Sequence, residues 1–227
     1  MAKKKSGFLP RVVWSLLGLV LVVPAVGFWI ALVKTVRAVP FPGSVLPAAL
    51  GGVILYLLLH ILFKKPMTLY IFGHELTHAL AGFLSGYRLD SLFVSGKGGE
   101  VVLSDTNVFV VLAPYVVPLY TAGVVGLYAL IRCYASLPMP PWWVIFLVSF
   151  TLTFHGALTA HALWQDQPDM NHAGLLFSLT FILLGHAVIL ALFLKVLFPE
   201  AVFLKTYAAH GWNDTRWVVE KLVSWFR

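Results

Sequence analysis

From Val12 to Val33 the chain carries no charged side chain, and uncharged apolar runs of similar length recur at 45–63, 108–131, 142–164 and 173–194. The hydrocarbon core of a bilayer is crossed by about 20 helical residues. Within it, every backbone N–H and C=O has to be bonded inside the protein, which leaves helices as the economical solution for runs of this kind. Only 11% of the residues are charged and 60% are hydrophobic, whereas a soluble domain carries about 25% charged residues. The expected fold is therefore an all-α polytopic membrane protein with about six transmembrane helices.

In chain order, Lys3, Lys4 and Lys5 precede the first run, which ends at Lys34 and Arg37. That run exceeds the roughly 7–15 apolar residues of a cleaved signal peptide, so it reads as a retained first span. Pro40, Pro42, Gly43 and Pro47 mark a loop, and a second span covers 45–63. The third span, about Pro66 to Gly86, holds polar residues considered below. After it, Leu92-Phe93-Val94 and Val101-Val102-Leu103 flank the glycine-rich Ser95–Glu100, which predicts a short β-hairpin with a turn over those six residues. Such a hairpin either serves as a surface connection or offers an edge to an extended peptide. The fourth span, Val108 to Ile131, contains Pro114 and Pro118; these should kink it and free backbone carbonyls. A fifth span, Trp142–Trp164, follows Pro138–Pro141. Pro168 suits the start of a sixth, about Ala173 to Leu194. Asp214 or Thr215 would cap a C-terminal amphipathic helix lying in the membrane interface, with Trp217, Val218, Leu222, Trp225 and Phe226 on one side. The divisions expected are 1–65 for two N-terminal spans, 66–198 for a membrane core and 199–227 for the interfacial tail.

The net charge of +7 does not indicate nucleic acid, because the cations sit between and beyond the apolar runs. They report topology instead. With six spans and an internal N-terminus, twelve Lys and Arg fall inside (Lys3, Lys4, Lys5, Arg11, Lys64, Lys65, Arg132, Lys195, Lys205, Arg216, Lys221, Arg227) and four outside (Lys34, Arg37, Arg88, Lys97). The positive-inside rule then places both termini in the cytoplasm. Cys133 is the single cysteine, so neither a disulfide within the chain nor a cysteine metal cage is available.

Within the third span lies Gly73-His74-Glu75-Leu76-Thr77-His78. Four helical residues advance about 400°, so His74 and His78 share a face and can close on one metal ion. Glu75, beside them, is placed to handle the proton of an attacking water. An ionisable group at the centre of a membrane helix costs on the order of 3 kcal/mol. No Lys or Arg within the span offsets Glu75, so two structural histidines and a paired glutamate account for the cluster less well than a metal does. Zinc is the natural ion, since its catalytic sites commonly use three protein ligands and leave one position open. Asp166, Asp169, His155 and His161 are the candidates for the third ligand. The third and fifth spans run in the same direction, which brings the end of the fifth near the later part of the third. That favours Asp169, after the break at Pro168, with Asp166 next. His155 and His161 lie about 240° apart around their helix, so at most one lines the site; His155 is the candidate for an outer or oxyanion-stabilising role. His60, His172, His186 and His210 have no local partner pattern and read as structural or interfacial.

With a His-Glu-x-x-His helix in the membrane, a hairpin after it and an aspartate two spans later, the chain resembles the site-2 protease family of intramembrane zinc metalloproteases. The likeness covers roughly Pro66 to Leu194 and is nearest to the compact bacterial members without a PDZ domain. It implies His74, His78 and Asp169 as zinc ligands, Glu75 as catalytic base, a bacterial cytoplasmic membrane as location, and membrane-anchored proteins as substrates. The family often carries Asn-Pro near the second motif and an aspartate followed by glycine; here the stretch is Gln167-Pro168-Asp169-Met170-Asn171. Two other classes compete. One is a catalytically silent zinc-bearing scaffold, the other a small metal or proton transporter using His155, His161 and the aspartates. An intact Glu75 argues against the first, and a tight two-histidine site against the second, because a permeant ion needs weaker binding.

Overall fold

The computed structural model describes residues 8–63, 65–96, 98–135, 139–165 and 169–225. Asp166, Gln167 and Pro168 lie outside these, as do Lys3–Lys5, Lys64, Lys97, Pro138, Phe226 and Arg227. The chain is mostly helical: α1 (Phe8–Ala38), α2 (Val45–Leu62), α3 (Met67–Leu84), α4 (Val108–Val116), α5 (Leu119–Tyr134), α6 (Trp142–Trp164), α7 (Met170–Ala173), α8 (Leu175–Leu197) and α9 (Leu204–Trp225), with a hairpin of β1 (Leu89–Ser95) and β2 (Gly98–Leu103) between α3 and α4.

Among the described residues, four helices, α1, α2, α6 and α8, are long and apolar enough to cross a membrane, or five spans if the bent pair α4–α5 counts as one. The six expected spans are thus met in part. α3, the third of them, is not in that set, and the cause is its content of His74, Glu75 and His78: the residues that make the segment interesting also lower its hydropathy. α4 and α5 are not one kinked helix but two, bent by 75°. Pro118 starts the new helix, and its missing N–H makes it a poor continuation of the old one.

α4 is the most enclosed element. Seven consecutive residues, Val110 to Val116, are buried, as a helix apolar on all sides requires. Its Tyr115 and Leu112 join Tyr56, Phe154, Leu158, Met170 and Phe177 in the largest core cluster. Around it α2 packs on α6, and α1 on α8 and α9. The outward faces, such as Leu46, Leu50, Ile54, Leu57 and Ile61 of α2, remain exposed and apolar; lipid is the solvent that suits them.

Two local expectations need correction. Ser95 pairs directly with Gly98, so Gly98, Gly99 and Glu100 belong to β2 rather than to a six-residue turn. The C-terminal helix begins at Leu204, and Asp214 lies inside it, buried and ion-paired with Lys34 of α1, instead of capping it. The buried face of α9 is Tyr207, Gly211 and Asp214, whereas Trp217, Leu222 and Trp225 are exposed. The helix starts early because its polar first half has α1 to pack on, which local amphipathicity does not reveal.

Candidate metal centre

On α3, His74 and His78 stand one turn apart with their rings edge to face, centroids 4.8 Å apart. The chain then passes through the hairpin, α4, α5 and α6 before returning to Asp169, which immediately precedes α7. Asp169 Oδ2 lies 3.6 Å from His74 Nε2 and 3.7 Å from His78 Nε2. One ligand atom from each of the three residues falls within 4.8 Å of the others. These separations are long for hydrogen bonds. The two to Asp169 are close to the edges of a tetrahedral site, which are about 3.4 Å when metal–ligand bonds are near 2.0–2.1 Å. The three side chains therefore fit a metal ion. Asp166, the alternative third residue, lies outside the described residues.

The orientation of each ligand has a physical cause. His78 Nδ1 is 2.8 Å from the Val110 carbonyl. A carbonyl only accepts, so Nδ1 carries the proton and Nε2 is left with its lone pair facing Asp169. Val110 O is available for a specific reason: residue 114, which would donate to it in a regular helix, is proline. Asp169 accepts a hydrogen bond from the Tyr115 hydroxyl, 2.9 Å from Oδ2. After α7, Gly174 takes φ +82°, the left-handed backbone that lets α8 start in a new direction.

No family model, curated protein or solved structure matches the chain. The chemistry has to be read from the site itself.

Glu75 follows His74 in sequence, is half-buried, and pairs with no Lys or Arg among the described residues. β2 passes beside it. A Cβ placed on Gly99 would stand 2.6 Å from Glu75 Cγ and 2.6 Å from Ile71 Cγ2, so this position has to be glycine for the hairpin to lie against α3. His155 is buried in α6 and shares a cavity of about 20 Å³ with His74, Tyr70 and Tyr120. Its Nε2 has no hydrogen-bond partner among the described residues, and its ring lies 5.8 Å from that of His186. It lies outside the group of three. His161 is apart from the site, within hydrogen-bond distance of Lys65 and Gln165. Val110 O and Tyr115 are contributors that the residue pattern did not single out; Pro114 is the sequence signal that pointed toward a freed carbonyl.

Proposed function

We propose that the protein is an intramembrane zinc metalloendopeptidase that hydrolyses peptide bonds of membrane-embedded or membrane-anchored proteins. The observation that carries this reading is convergence. Two imidazoles from one turn of α3 and a carboxylate from a segment far along the chain meet within 4.8 Å, beside a half-buried glutamate that pairs with no Lys or Arg among the described residues. A zinc ion held by His74, His78 and Asp169 would supply Lewis acidity to the scissile carbonyl and lower the pKa of water toward about 7. Glu75 would accept the proton of the attacking water and deliver it to the leaving amine nitrogen. His78, locked through Val110 O, and Asp169, held by Tyr115, keep their ligand atoms in place while this occurs. The substrate backbone has to be extended at the cleavage point, since helical hydrogen bonds shield the peptide.

Purified protein should contain about one zinc per chain and should cleave a reconstituted membrane protein captured by the Glu75→Gln variant. Metal-free protein from a zinc-replete preparation would sink the reading. The hairpin gives a second check. Gly99→Val should displace Glu75 without touching the three ligands, so hydrolysis should fall while zinc content stays at the wild-type level, measured on the same preparation. A loss of zinc in step with activity would show that Gly99 acts on the fold rather than on Glu75.

A further inference from the structure

We infer that one turn of α4, Val110 to Tyr115, is the outer support of this metal centre, with Pro114 and Tyr115 as its positioning residues. The inference rests on the reading of His74, His78 and Asp169 as metal ligands. It adds that both halves of the ligand set are held from a single buried helix that itself supplies no ligand.

Two contacts from that turn reach the two halves separately. The Val110 carbonyl fixes the tautomer and ring plane of His78, and the Tyr115 hydroxyl fixes the Asp169 carboxylate. Tyr115 also sets its ring edge on against His74, centroids 5.1 Å apart, so it touches a side chain from each half. These residues have little freedom to move: Val110 is 2% and Tyr115 0% exposed. Pro114 connects the two effects. By lacking an N–H it leaves Val110 O without a helical donor, and by sitting next to Tyr115 it belongs to the turn that aims the hydroxyl. A regular helix with alanine at 114 would recover its own hydrogen bond at the expense of His78. Partners of this kind around metal ligands typically carry 10–100-fold in metal affinity.

The test uses the full chain in detergent and competition with a zinc chelator. Tyr115→Phe, which removes only the hydroxyl, should weaken zinc binding by about 10–100-fold. Tyr128→Phe removes another buried hydroxyl, on α5 and without a hydrogen-bond partner among the described residues, and should leave zinc affinity unchanged. Pro114→Ala should weaken zinc binding while the metal-free protein melts at the same or a higher temperature, because an intrahelical hydrogen bond is regained. Imidazole nitrogen NMR of the metal-free protein gives a readout independent of zinc: the Nδ1–H signal of His78 should shift in Pro114→Ala and stay in place in Tyr115→Phe. Wild-type zinc affinity in either variant overturns the role given to that residue. If the wild-type chain itself takes up no zinc, the metal reading fails instead, and an unshifted His78 signal in Pro114→Ala would overturn the role of Pro114 on its own.

Discussion

Glu75→Gln should keep the zinc and lose hydrolysis by about 10²–10⁴-fold, the range carried by a positioned general base. Glutamine has nearly the shape of glutamate, so the close approach of Gly99 to this side chain is retained. What it lacks is an oxygen basic enough to accept a proton. The surroundings of Glu75 favour the catalytic interpretation over a structural one. A structural glutamate in an apolar helix would be expected to hold a cation, yet no Lys or Arg pairs with it among the described residues. The measurement is single-turnover cleavage of a purified membrane substrate, together with zinc content on the same sample. Undiminished cleavage would refute the proposed mechanism; loss of zinc would show that Glu75 supports the site rather than acting in it. If the proposed activity holds, the same variant is the reagent for capturing membrane proteins that would be its substrates.

What was legible in the sequence, and what was not, divides along physical lines. A fifth span was expected at Trp142–Trp164, and a helix apolar enough to cross a membrane has those bounds, because a proline-rich loop and a polar exit fix both ends locally. The pairing of His74 with His78 was legible because helical periodicity alone puts them on one face. Asp169 was expected from a six-span topology with parallel third and fifth spans; the structure brings its carboxylate to 3.6 and 3.7 Å from the two imidazoles. Tyr115 was not legible. It sits in a uniformly apolar stretch, and its partner is 54 residues away; only the fold decides which hydroxyl meets which carboxylate. The C-terminal helix was misjudged for a related reason. Asp214 reads as a cap when α9 is considered alone, and its ion pair with Lys34 spans 180 positions. The number of spans was the least secure expectation, since hydropathy counts a site-bearing helix such as α3 against the membrane even where its polar residues serve one another.

Removing a ligand should have the other large effect. Binding free energies of about 10–16 kcal/mol for protein-bound zinc, divided over three or four ligands, put roughly 3–5 kcal/mol on each. His74→Ala, His78→Ala and Asp169→Ala should therefore each weaken zinc binding by about 10²–10³-fold or more. The three need not behave alike in other respects. His78→Ala releases Val110 O, and Asp169→Ala leaves the Tyr115 hydroxyl buried without its acceptor, at a cost of about 1–3 kcal/mol. His74 Nδ1 has no hydrogen-bond partner to lose among the described residues, so His74→Ala should be the least damaging to the metal-free fold and the cleanest report on the metal. Chelator competition on all three, with the melting temperature of each metal-free form, separates affinity from folding. The aspartate is the informative member. Asp166→Ala should bind zinc as the wild type does and Asp169→Ala should not, because it is Asp169 that stands 3.6 and 3.7 Å from the two Nε2 atoms. The reverse order would move the third ligand to the other side of Pro168 and leave the Tyr115–Asp169 contact a structural one.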